Sequence, residues 1–162
     1  MDAKNAHNAH ATYLANKVNT ASREQLLLIT YDIGIKNCRG AETALEAGIF
    51  DEANRNIQKA QDVIRELMVT LRVEEGGEVA RSLMSLYDFM YMLLVEANVG
   101  KDREKIATVR SMLEELRTTW EEAMIKLAEE SGVEKTAQHI QTGTALKAEP
   151  RPVPAGGLNI AG

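Results

Sequence analysis

Apolar residues recur with a helical period in four stretches of this chain, and glycine-bearing breaks at Gly48, Gly76-Gly77 and Gly100 separate them. Such a pattern commits the chain to helices joined by short connections, because each stretch must bury one stripe against another. Ser22 is a good N-cap with Gln25 placed to close a capping box, so a helix is predicted from Arg23 to about Ala47. Gly48 supplies its stop and Asp51 offers the next cap. A second helix is expected from about Glu52 to Leu71 and a third from about Glu78 to Asn98, ended by Gly100. A fourth, capped by Asp102, should reach about Glu130, where Gly132 closes it.

Two of these helices are cleanly two-sided. The second places Ala53, Ile57, Ala60, Ile64, Leu67 and Leu71 on one face and Arg55, Lys59, Asp62 and Glu66 outside. The fourth lines one side with Ile106, Val109, Leu113, Leu116, Trp120, Ala123 and Leu127. The other two carry more apolar residues than one stripe can use. In the first, Leu27, Tyr31, Gly34, Cys38, Ala41 and Leu45 make the core stripe. Leu26, Ile29, Ile33, Gly40 and Ala44 make a second stripe beside it, with Leu28 and Ile35 on the other flank. In the third, Val79, Leu83, Tyr87, Met90, Leu94 and Ala97 face the core. Phe89, Met92 and Leu93 cover the opposite and side faces, and Met84, Tyr91 and Val95 fill another flank. A helix of this kind is either deeply buried or one wall of a binding surface. Short breaks favour antiparallel neighbours, so the predicted fold is all-α, an antiparallel up-down four-helix bundle over residues 20–131 with the two overfull helices on a diagonal.

Outside the bundle, residues 1–19 read as a mobile N-terminal arm with Tyr13, Leu14 and Val18 as an apolar anchor. Residues 132–162 read as a flexible, largely disordered tail rich in Pro, Gly and Ala, although Val133 to Ile140 can continue as a weak helix. The longest apolar run, Phe89 to Val95, is too short to span a membrane, and no basic segment followed by an apolar one opens the chain, so a cytosolic protein is expected.

Catalytic and ligand chemistry find little to work with. His7 and His10 lie in the arm and His139 in the tail, which leaves the predicted bundle without a histidine base or metal ligand, and no Glu-x-x-His pair occurs. Gly76-Gly77 lacks the spacing and the lysine of a phosphate loop. The acidic pairs Glu74-Glu75, Glu114-Glu115, Glu121-Glu122 and Glu129-Glu130 fall mostly on solvated helix faces. Cys38 stands alone on a core stripe, where a thiol is a small hydrophobe. A net charge of -5 without a basic cluster speaks against nucleic acid. Tyr31 and Tyr87 each precede an aspartate, lie on core stripes and should find hydroxyl partners near the bundle edge. The expectation is therefore no catalytic residue, no metal and no cofactor.

The stretches TASREQLLLITYDIGIKN, IQKAQDVIRELMVTLRVEEGGEVARSLMSLYDFMYMLLVEAN and LEELRTTWEEA resemble the flagellin-specific export chaperones of the FliS family, from about Tyr13 to Ala123. The resemblance implies a cytosolic four-helix bundle that binds the disordered C-terminal region of flagellin, prevents premature polymerisation and touches the export gate of the flagellar secretion apparatus. It also implies that the arm, through Tyr13 with Leu14 and Val18, covers part of the binding surface when flagellin is absent. The chain departs from the family pattern with Arg23 where proline is common after the serine, and with Ile33-Gly34-Ile35, which moves a small residue toward the core. Combined with the surplus apolar stripes, the partner site is expected at Leu26, Ile29 and Ile33 on the first helix and Phe89, Met92 and Leu93 on the third. The alternative is a helical structural protein that uses the same stripes to form homo-oligomers.

Overall fold

The computed structural model describes residues 2–146, with side-chain surroundings given for 4–17 and 19–135. Five helices follow one another: α1 Asp2–Thr20, α2 Arg23–Glu46, α3 Phe50–Thr70, α4 Val73–Gly100 and α5 Arg103–Leu146. Two compact units divide the chain, 1–123 and 124–162.

Local chemistry explains most boundaries. The Ser22 hydroxyl accepts the Gln25 backbone N–H at 3.2 Å and the Gln25 side chain accepts the Ser22 N–H at 3.1 Å, so both halves of the capping box are formed. Gly48, at φ 73°, takes the left-handed turn that ends α2. The next cap is Ile49 rather than Asp51. Asp51 sits instead in the first turn of α3, where its charge meets the positive end of the helix dipole. Helix α4 begins five residues before the expected start. Val73 to Gly76 form an extra turn, and Gly77, at φ 58° and ψ -135°, kinks the helix there. Its C-terminal turn is closed by Lys101 at φ 53°, not by Gly100. Asp102 caps α5, its Oδ1 accepting the N–H groups of Glu104 at 3.0 Å and Lys105 at 3.3 Å.

The ends of the chain carry more helix than periodicity indicates. Residues 2–20, read from the sequence as an arm, form a helix with five alanines, an acidic first residue and Lys17 in its last turn. Those are favourable for helix formation without any apolar stripe, which is why periodicity does not reveal it. Helix α5 runs through Gly132 to Leu146. Glycine in a helix costs about 1 kcal/mol relative to alanine and ends it only where the chain turns left-handed, and Gly132 is absent from the positive-φ glycines. The tail expected from residue 132 thus begins as helix, longer than the weak helix allowed over Val133 to Ile140, and residues 147–162 lie outside the described part.

Within the first unit one continuous core draws on four helices. Tyr31, Ile35, Cys38 and Ala41 of α2 meet Ile57, Ala60, Val63, Ile64 and Leu67 of α3, Leu83, Tyr87, Met90, Leu94 and Ala97 of α4, and Ile106, Val109 and Leu113 of α5. Gly34 is what lets α2 approach so closely. A Cβ there would stand 3.0 Å from Val63 Cγ1 and 3.2 Å from Leu113 Cδ1. Ile35, placed on a flank by the sequence, is buried, whereas Val79 is exposed and Ala80 takes its place against the core. Leu116 and Trp120 are half-buried at the end of the α5 stripe, and Ala123 is exposed. In the second unit, the α5 residues Ile125, Leu127 and Val133 are all exposed, so the core stripe does not continue to Leu127.

Candidate functional site: surface strips on two helices

Helix α2 buries Tyr31, Gly34, Ile35, Cys38, Ala41 and Ala44, Leu27 and Leu45 pack half-buried against the core, and its other apolar residues stay near the surface. Leu26 and Ile29 are half-buried, and Ile33 is 47% exposed. The same second stripe is covered farther along. Ala44 is buried, and a Cβ on Gly40 would meet the Asn56 side chain of α3 at 3.0 Å. Only the N-terminal half of the stripe is therefore open. On α4, Phe89 is 53% and Met92 52% exposed, with Leu86 exposed as well, while Leu93 packs half-buried against the core.

Leu26 lines a cleft of about 660 Å³ between α2 and α3, together with Arg23, Leu27, Thr30, Glu66, Leu67, Val69, Thr70 and Arg72. Its α3 wall was not anticipated, because α3 looks cleanly two-sided. The available signal is Val69, an apolar residue off the core stripe that the structure leaves exposed. Tyr13 of α1 is 62% exposed and Leu14 is also exposed, so in this structure the proposed anchor stands largely in solvent. The Val18 side chain lies outside the described residues.

Beneath the strips the polar chemistry is structural. The Tyr31 and Tyr87 hydroxyls are hydrogen-bonded to each other, and Trp120 Nε1 donates to Tyr31 Oη at 3.1 Å. Both tyrosines are buried in the core, not at a bundle edge, and burial pushes both phenols above their ordinary pKa, keeping them neutral. Burial likewise pushes the Cys38 thiol up to about 12, which leaves it unreactive.

Charge closes the seam between α2 and α5. Arg110 bonds Glu42 through Nε at 2.7 Å and Nη2 at 3.3 Å, Arg39 reaches Glu114 at 2.7 Å, and Arg117 grips both oxygens of Asp32 while also reaching Glu121 at 3.0 Å. Glu42 is 8% exposed, a buried carboxylate matched by a guanidinium. Glu114 and Glu121 are thus ion-pair partners rather than merely solvated charges. Arg39 and then Arg110 hold the Glu114 carboxyl below its ordinary pKa. Among the described residues no group of three or more His, Cys, Asp or Glu side chains is arranged to hold a metal, and no helix is long and apolar enough to cross a membrane.

Comparison with known proteins agrees with this architecture. The family model described as flagellar protein FliS matches residues 5–127. A protein of Bacillus subtilis named flagellar secretion chaperone FliS is 35% identical over 117 residues, covering 72% of this chain and 86% of that protein. Its namesake in Salmonella typhimurium is 31% identical over 106 residues, covering 65% and 78%. A solved structure described as a flagellar chaperone from bacteria superposes with a TM-score of 0.61 at 19% identity, covering 75% of this chain and 98% of that one. At that identity the superposition speaks for the shared helical fold, while the family match rests on sequence over most of the folded region. The chain belongs to the FliS family of flagellar proteins.

Proposed function

We propose that this protein is a cytosolic export chaperone that binds the disordered C-terminal region of flagellin, prevents its premature polymerisation and delivers it to a component of the flagellar export gate. Its scaffold in this reading is an antiparallel up-down four-helix bundle formed by α2 to α5, and it needs neither cofactor nor metal. The names of its relatives support the chaperone role. The observation that carries the reading is the unequal use of apolar residues, since α2 and α4 complete a packed core and still leave Ile33, Phe89 and Met92 in solvent.

Leu26, Ile29 and Ile33 on α2 and Phe89, Met92 and Leu93 on α4 act in this proposal as two strips that accept short amphipathic helices of the partner. A disordered chain can wrap to reach both, at an ordering cost of about 2 to 5 kcal/mol or more. Methionine suits such a surface because its unbranched thioether adapts to varied side chains. The exposed Tyr13 and Leu14 of α1 serve as a competitor for the same strips.

Calorimetric titration tests the reading. The protein should bind full-length flagellin and fail to bind flagellin lacking its C-terminal segment. Ile33→Asp combined with Phe89→Asp should weaken binding by at least about tenfold, or about 1.4 kcal/mol, with the melting temperature nearly unchanged. Equal binding of both flagellins would defeat the reading. Stable homo-oligomers in light scattering, indifferent to flagellin, would favour a self-associating structural protein instead.

A further inference from the structure

Tyr31 of α2, Tyr87 of α4 and Trp120 of α5 bring three polar hydrogens to two oxygens in the core. The two contacts use two of those hydrogens, and the third has no acceptor within the trio. An apolar trio of similar size would avoid this, because replacing both partners of a buried hydrogen bond by apolar groups is close to neutral or even stabilising. What the phenols add is direction. Hydrogen bonds hold over a narrow range of distance and angle, whereas aliphatic contacts change little when helices slide.

The placement of the pair gives that directionality a use. Helix α2 is tied to α5 by the Arg110–Glu42, Arg39–Glu114 and Arg117–Asp32 ion pairs. Toward α4, the hydroxyl pair is the single side-chain hydrogen bond that α2 makes among the described residues. Ile33 lies two positions beyond Tyr31, and Phe89 two beyond Tyr87. We infer that Tyr31, Tyr87 and Trp120 are positioning residues that fix the register of α2 against α4, and with it the spacing of Ile33 and Phe89 that a partner meets. The inference rests on the strips being the partner site, but the register itself can be measured without a partner.

The test is the double variant Tyr31→Phe/Tyr87→Phe, with Trp120→Phe as a second variant that removes the indole donor together with part of the ring that packs against the core. Nitroxide labels on Lys36→Cys and Asp88→Cys, both at exposed positions, report the α2–α4 distance by pulsed electron resonance. The buried Cys38 stays unlabelled. The expected result is a narrow distance distribution in the parent that broadens or splits in the double variant and broadens less in Trp120→Phe. The double variant leaves the half-buried Trp120 Nε1–H without its Tyr31 acceptor, so a modest fall in melting temperature is expected, and its affinity for flagellin should fall about tenfold. An unchanged distribution overturns the inference whatever happens to binding. So does a steep fall in melting temperature, which would make the trio an ordinary stability element. Failure of the parent to bind flagellin would defeat the chaperone reading and leave the distance measurement to decide the register.

Discussion

Helices α3 and α4 bury the same number of residues, six each, and treat the rest of their apolar content in opposite ways. On α3, Ala53, Ile57, Ala60, Val63, Ile64 and Leu67 are buried, and the exposed large apolar residues, Phe50 and Val69, sit near its two ends. On α4, Ala80, Leu83, Tyr87, Met90, Leu94 and Ala97 are buried, and Leu86, Phe89 and Met92 still face solvent through the middle of the helix. The core cannot be what α4 needs those side chains for. A surplus that folding does not consume is a surface property, and it sets α4 apart from α3.

Truncation at the buried positions should show the two helices behaving alike. Ile64→Ala on α3 and Met90→Ala on α4 each remove a fully buried side chain and should each cost about 2 to 5 kcal/mol. Denaturant melts measure both, and a marked inequality would break the equivalence of the two cores.

Acid should act on a third face, the α2–α5 seam. The Glu114 pKa is lowered in the folded state, first by Arg39 and then by Arg110. A depressed carboxylate contributes stability that is fully present above its unfolded pKa and is lost as pH falls through the folded value. Stability should therefore decline on the acid side of the ordinary carboxylate range, and Arg39→Ala should make that decline shallower. Thermal melts across that range check the sign. A steeper decline would contradict the assignment.

The smallest effect belongs to the surface. Phe89→Ala with Met92→Ala should change stability by no more than about 1 kcal/mol, because surface substitutions away from packed features usually fall within about 0.5 kcal/mol each. A cost approaching that of Met90→Ala would show that both faces of α4 are core and erase the contrast with α3.

Much of this was legible in the residues. The Ser22 capping box, the Asp102 cap, the left-handed Gly48 and the α3 stripe are local, and each follows from chemistry within a turn or two of helix. The excess on α2 and α4 was visible as counts of apolar residues on particular faces. What escaped was of two kinds. Helix α1 and the length of α5 past Gly132, where the residues suggest only a weak helix over Val133 to Ile140, are carried by propensity without a stripe, so periodicity alone does not mark them. The α2–α3 cleft needed two helices to be placed before Val69 and Leu26 could be seen to line it.

By itself the sequence determined the helical class, most helix boundaries and which helices carry more apolar surface than a core requires, because hydrogen bonding and capping within a helix are short-range. Only the tertiary structure decided how that surface is divided. Ala44 and Ile33 share one stripe, yet the first is buried and the second stands half in water. Tyr31 and Tyr87 sit 56 residues apart, and only packing brings their hydroxyls together inside the core. Burial depends on which neighbours arrive from elsewhere in the chain, and no local pattern records that.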